Sequence, residues 1–365
     1  MKNIFIFFSF SCFATYAQIG NENDFCLRGA YSFGSILQQG YYSNTTINKF
    51  INGFELDYIK PSTGKKLWHH ENNFPQHGFG FTYFNLNNPK VLGDIYATYI
   101  FCDIPLNKKE KPFRVYMKLA AGIAYAPVHF NAIENQNNDM LSTPINGYGN
   151  LKWYFRWNLG KHLCWDLGFS YSHVSNGNSN LPNLGENMIT INTGLVYKFT
   201  NPVKNVIAKI DSSTKIKSKY EILLWVGIGK VQEQVFGKKY QAQCYSASYY
   251  YNIRNTHKIG LGIDVFYNPG NIQLMKEEGV TLSNNLQNIQ TGVKITYAYN
   301  LGRLSLPAET GFYVISKHKE HSSFYQRVGV RYYFKNNIVA LITLKTYWIG
   351  AYNLEFGLGY RIGIK

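Results

Sequence analysis

From Phe25 onward the chain alternates apolar and polar side chains in short runs separated by loops rich in Asn, Gly, Ser and Pro. In Phe113–Tyr125 the side chains of Phe113, Val115, Met117, Leu119, Ala121, Ile123 and Tyr125 fall on one side, and Arg114, Lys118 and Gly122 on the other. Successive residues of an extended chain face opposite ways, so a period of two predicts strands. Leu151, Trp153, Phe155 and Trp157 likewise share a face, with Asn150, Lys152, Tyr154 and Arg156 opposite. The rule holds in Phe25–Phe33, Phe54–Tyr58, Phe79–Tyr83 and Val91–Phe101, and later in Ile259–Tyr267 and Val328–Phe334. Helical periodicity is almost absent.

A strand of a soluble sandwich also alternates. Here the polar set holds arginines, lysines and carboxylates, and the apolar set is large and aromatic-tipped. That combination suits a wall with acyl chains on one side and a polar interior on the other. Hydrocarbon leaves no water to satisfy an open sheet edge, so the wall must close. The predicted fold class is all-β, a transmembrane antiparallel β-barrel. The pattern lapses at 201–218, a lysine- and serine-rich stretch containing Pro202 that reads as a linker. Leu354–Ile362 repeats Ile191–Phe199 in kind, position by position, with Gly, Leu, Tyr and a basic residue at matching places. This suggests an internal duplication with roughly eight strands on each side of the linker. Two tandem eight-stranded barrels are expected, with one sixteen-stranded barrel as the alternative. The boundaries are 18–200 for the first barrel, 201–218 for the linker and 219–365 for the second half.

Composition agrees with this. Aromatic residues make up 17% of the chain and charged residues only 16%, and no apolar run beyond the N-terminus approaches the length of a spanning helix. Lys2, the apolar run Ile4–Phe13 and Ala14–Ala17 have the three-part form of a secretory signal peptide, predicting cleavage after Ala17. The mature chain keeps Cys26, Cys102, Cys164 and Cys244 at wide spacing, which signals neither a disulfide framework nor a zinc site. A formal net charge of +16 favours an anionic partner. For an exported barrel without nucleic-acid motifs that partner is a phosphate-bearing lipid surface, not nucleic acid.

Within Trp165–Ser175 the alternation places Tyr171, His173 and Ser175 on the apolar side. Side chains two apart on a strand are neighbours, so an imidazole there can take a proton from the hydroxyl. A wall facing lipid selects an acyl chain over a water-soluble substrate. The plain alternative is that Ser175-Asn176-Gly177 starts a turn and His173 sits at the membrane interface.

His173-Val174-Ser175-Asn176-Gly177, followed by Pro182-Asn183-Leu184-Gly185 and a closing strand, resembles the lipid A 3-O-deacylase (PagL-like) family of outer-membrane esterases. The resemblance covers roughly Phe25–Phe199 and not the C-terminal half. It implies an eight-stranded outer-membrane barrel carrying a lipid-facing Ser-His-Glu triad. Ser175 is then the nucleophile, His173 the general base, and Asn176 with backbone N–H groups at Gly177 the candidate oxyanion hole. The family's glutamate lies twelve residues beyond the serine, where this chain has Asn187, with Glu186 one place earlier. Adjacent strand residues face opposite ways, so Asn187 completes the site in a regular strand and Glu186 does so only across a bulge.

The resemblance implies removal of an ester-linked 3-hydroxyacyl chain from lipid A, with lipopolysaccharide of the outer leaflet as partner and no metal or cofactor. The alternative is a non-enzymatic channel or surface-binding barrel with a degenerate site. The C-terminal counterpart, Leu344–Asn353, has no His-x-Ser and is expected to be non-catalytic. His69, His70, His77 and His129 lack ligand-like spacing and read as rim or loop residues.

Overall fold

The computed structural model describes residues 23–37, 50–107, 113–200, 218–277, 279–280, 284–317, 322–348 and 350–364. The predicted signal peptide and residues 201–217 of the predicted linker lie outside the described residues.

The strands run β1 (Cys26–Ile36), β2 (Ile51–Pro61), β3 (Gln76–Asn88), β4 (Gly93–Pro105), β5 (Phe113–Tyr125), β6 (Ile145–Asn158), β7 (Leu163–Ser175) and β8 (Glu186–Lys198). They continue as β9 (Tyr220–Gln232), β10 (Lys239–Asn252), β11 (His257–Tyr267), β12 (Gln290–Leu301), β13 (Leu304–Ile315), β14 (Phe324–Tyr333), β15 (Ile338–Tyr347) and β16 (Gly350–Ile364). Two short helices, α1 (Leu67–Glu71) and α2 (Gly270–Glu277), lie in the connections after β2 and β11. No helix among the described residues is long and apolar enough to cross a membrane.

Within β1–β8 and within β9–β16 each strand pairs antiparallel with its sequence neighbours, β8 does not pair with β9, and two closures complete the sheets. β8 returns to β1, from Cys26↔Lys198 to Ile36↔Met188. β16 returns to β9, from Phe356↔Ile228 to Ile364↔Tyr220. The fold is therefore two closed eight-stranded barrels, and the sixteen-stranded alternative is excluded. The two strands with matching sequence, β8 and β16, are the ones that seal the two edges.

Alternation sorts the side chains as an oily exterior requires. Ile100, Ile191 and Leu261 are 70%, 64% and 66% exposed on the outer walls. Aromatic rings stack at the rim where the first barrel starts and ends, with Phe25 on Phe199 at 4.5 Å and Trp157 on Trp165 at 5.0 Å. Such girdles suit a membrane–water interface.

The lumens are filled by charges. In the first barrel Glu55 receives Lys118 at 3.2 Å and Lys152 at 2.7 Å, while Asp166 pairs with Arg156 at 2.7 Å. In the second, Glu309 pairs with Lys294 at 3.0 Å and Arg327 at 2.9 Å, and Arg327 also reaches Glu355 at 2.8 Å. Lys118, Arg327 and Arg331 have no exposed surface. Buried charges persist where several partners share them, and breaking one pair in such a network typically costs about 3–5 kcal/mol. Long side chains packed into an eight-stranded lumen count against an aqueous path. In planar bilayers the protein is expected to give no steady conductance, and stable single-channel steps would refute this packing.

Candidate active site

β7 and β8 are joined by the turn 176–185 and pair without a bulge, placing His173 opposite Asn187 and Val174 opposite Glu186. The outer face of this hairpin therefore carries Tyr171, His173, Ser175 and Asn187, and the inner face carries Glu186. His173 Nδ1 lies 2.7 Å from Asn187 Oδ1, and the Tyr171 hydroxyl donates to the same oxygen. The Asn187 amide nitrogen turns the other way and donates to the Gly185 carbonyl at 3.4 Å. With its nitrogen on the Gly185 carbonyl, the amide presents its oxygen to the ring. His173 then carries its proton on Nδ1 and keeps the Nε2 lone pair free.

Ser175 Oγ accepts the Gly177 N–H at 3.0 Å and the Asn183 side-chain amide at 3.2 Å. Both hydroxyl lone pairs are thus engaged, and the hydroxyl hydrogen is the one free to leave. No hydrogen bond joins His173 directly to Ser175 among the described residues. Ser175 is buried although it continues the lipid-facing alternation, because the turn folds back over it. That turn is held by the β5–β6 connection. Leu184 N–H donates to the Asp139 carbonyl at 3.1 Å and Gly185 N–H to the Met140 carbonyl at 2.9 Å.

Among the sequence-predicted residues, His173, Ser175, Gly177 and Asn187 come together. Glu186 does not join them. It is completely buried on the lumen side and neither of its oxygens has a hydrogen-bond partner. Asn176 departs from its expected role as an oxyanion donor. Its amide donates to the Asn180 carbonyl at 2.9 Å and to Ser142 Oγ at 3.2 Å, inside the loop layer. The donor in its place is Asn183, whose Oδ1 also accepts the Asn176 N–H at 3.0 Å. Asn183 and Tyr171 were missed as site residues. The alternation puts Tyr171 on the face of His173 without assigning it a role, whereas Asn183 reaches Ser175 only through the fold of the turn. His69 and His70 lie on α1, His77 on β3 and His129 in the β5–β6 connection, and no three His, Cys, Asp or Glu side chains among the described residues are grouped to hold a metal. Cys26, Cys102, Cys164 and Cys244 are free thiols.

Residues 52–196 match the family described as lipid A 3-O-deacylase (PagL), a segment that spans β2 to β8 and contains every residue of this site. The first barrel is similar to the lipid A 3-O-deacylase family. The resemblance is not confined to that half, as had been expected: residues 218–364 match the acyloxyacyl hydrolase C-terminal domain. No curated protein matches the chain significantly. Among solved structures, the crystal structure of Neisserial surface protein A is similar at 11% identity and a TM-score of 0.32, covering 48% of this chain and 97% of that one. A triple-mutant porin from Rhodopseudomonas blastica is similar at 6% identity and a TM-score of 0.18, covering 93% and 99%.

One glycine of the deacylase barrel is required by close approach. Gly185 has φ +79°, and a Cβ built there would lie 2.7 Å from His173 Cε1 and 3.4 Å from Ser175 Cβ. Gly185→Ala is expected to cost about 1–2 kcal/mol for the left-handed backbone. It should also displace the imidazole, lowering lipid deacylation roughly 10- to 100-fold. Heat-modifiable gel mobility and fatty-acid release measure the two effects separately.

Proposed function

We propose that the protein is an outer-membrane serine esterase that removes an ester-linked 3-hydroxyacyl chain from lipid A or a related acylated lipid. The observation that carries the reading is the hydrogen-bonded set Tyr171–Asn187–His173 beside a serine whose oxygen already holds two N–H donors. All of it lies on the outer wall of a barrel of this family, where an acyl chain is the natural visitor.

On this reading His173 Nε2 removes the Ser175 hydroxyl proton, and the freed electron pair attacks the ester carbonyl. As Oγ bonds to the carbonyl carbon, Gly177 N–H and the Asn183 amide beside it are the donors that turn to the carbonyl oxygen, where the negative charge develops, the effect that usually contributes most. The carbon–oxygen bond to the sugar breaks, and the imidazolium returns its proton to the sugar hydroxyl. Water, deprotonated by the same imidazole, then attacks the acyl carbon; the bond to Oγ breaks, the imidazolium returns the proton to Oγ, and the fatty acid leaves with Ser175 restored. Asn187 holds the ring and its tautomer without contributing a charge. Bringing Nε2 onto Oγ needs a small side-chain rotation, of the kind that substrate binding commonly supplies. The lipid-facing position supports an approach from within the outer leaflet, and the positive net charge of the chain suits a phosphorylated lipid.

The test is incubation of the purified protein with lipopolysaccharide in detergent or vesicles, with mass spectrometry of both products. Free 3-hydroxy fatty acid together with lipid A short of that chain is the expected result. Unchanged lipid A, from protein shown to be folded, would overturn the proposal.

A further inference from the structure

The second barrel has no counterpart of the His173–Ser175 pair, yet it touches the turn that carries the site. Gln232, buried at the last position of β9, accepts the Leu181 N–H at 3.0 Å and donates to the Gly237 carbonyl at 3.1 Å. Leu181 is two residues before Asn183, the side chain that donates to Ser175 Oγ. Leu354 of β16 lies against Gly177, the other donor to that oxygen. A Cβ built on Gly177 would come 2.9 Å from Leu354 Cβ. Phe130 of the β5–β6 connection and Phe236 of the β9–β10 connection meet at 5.9 Å.

At the opposite rim the barrels meet again. Trp68 of α1 fills the space beside Gly302, where a built Cβ would lie 2.8 Å from its ring. The Tyr299 hydroxyl donates to Asn72, and Asn255 donates to Glu71. Contacts at both ends hold one barrel against the other, so Gln232 and Leu354 are presented to the turn by a wall fixed at two points.

We propose that the C-terminal barrel is a positioning element for the esterase site of the N-terminal barrel. Gln232 and Leu354 hold the turn 176–185 so that Asn183 and the Gly177 N–H stay on Ser175. This rests on the function proposed above. Both oxyanion-side donors sit on one irregular turn, and donors of this kind are effective only when their positions are maintained by a supporting layer. The first barrel supplies half of that layer through Asp139, Met140 and Ser142. The second supplies the other half from β9 and β16, which accounts for two fused barrels when one already encloses the nucleophile and base.

The experiment compares full-length parent, Gln232→Leu, Gln232→Glu and Leu354→Ala. Gln232→Leu removes both the acceptor for Leu181 N–H and the donor to the Gly237 carbonyl, and Gln232→Glu restores the acceptor alone. Gln232→Leu and Leu354→Ala are expected to lower kcat for fatty-acid release roughly tenfold with KM within about twofold, while Gln232→Glu recovers most of the parent rate. Hydrogen exchange of the peptide spanning 176–184 is measured in parallel and needs no turnover. It should accelerate at least about tenfold in Gln232→Leu, while peptides from β3 and β12 exchange as in the parent. Unchanged exchange in this turn, or equal loss of rate in Gln232→Leu and Gln232→Glu, would overturn the proposal. A parent without esterase activity would instead refute the proposed function, and the exchange result would still decide whether the second barrel holds the turn.

Discussion

Ser175→Ala is expected to reduce fatty-acid release from lipopolysaccharide by on the order of 1000-fold or more, with the barrel intact. In the mechanism proposed above the hydroxyl forms the acyl-enzyme bond, and its loss leaves only binding and the donors on Gly177 and Asn183 to act on a water molecule. In hydrolases with a comparable arrangement, those remaining terms give a small residual rate and not the full one. Ser175 Oγ accepts two hydrogen bonds at the turn, at 3.0 and 3.2 Å, so alanine also leaves two donors without that acceptor. A modest loss of stability of about 1–3 kcal/mol is expected alongside. Migration of the unheated protein as a compact band separates the two effects. Release by the variant within tenfold of the parent, from folded protein, would remove Ser175 from the mechanism and with it the esterase reading.

Asn187→Ala and Glu186→Gln should separate by roughly 100-fold or more in kcat, with the asparagine variant the slower. The cross-strand pairing His173↔Asn187 and the 2.7 Å contact to Nδ1 make Asn187 the group that orients the imidazole. Without it the ring can rotate or adopt the other tautomer, which places a proton where the lone pair must be. Replacing the orienting acid by its amide in a serine protease costs about 10⁴-fold, chiefly through that wrong tautomer. Here the amide oxygen is locked toward the ring by Tyr171, so the asparagine retains the orienting part of the role and forgoes the charge. Glu186 faces the lumen, and its change to glutamine should leave the rate within about twofold of the parent. The reverse ranking would mean that the hairpin shifts its register by one residue when lipid is bound.

Much of this architecture is legible along the chain because a barrel in lipid is a local rule repeated. Each residue of Phe113–Tyr125 must face either acyl chains or the lumen, so its polarity reports its side directly. Arg114 and Lys118 are buried inside, while Ile123 and Tyr125 are exposed outside. The same rule placed His173, Ser175 and Asn187 on one face before any contact was known. It stops at Ser175. Beyond that residue the chain is a turn, where backbone φ values of +64° at Gly177 and +79° at Gly185 replace the period of two. Asn176 and Asn183 are then indistinguishable by position: one amide turns into the loop layer and the other onto Ser175.

The amino-acid order by itself determined the all-β class, the sidedness of the strands, the duplication and the residues of the pair His173 and Ser175, since each follows from near neighbours. Only the tertiary structure decided that the strands close twice and not once. That choice depends on β8 meeting β1, an edge pairing between segments far apart in sequence. Tertiary structure also decided which asparagine serves Ser175, that Glu186 is shut inside, and that Gln232 and Leu354 of the second barrel reach the turn. Those contacts arise between residues that share no period or spacing. They are set by how two closed walls and their loops pack, a property of the whole chain.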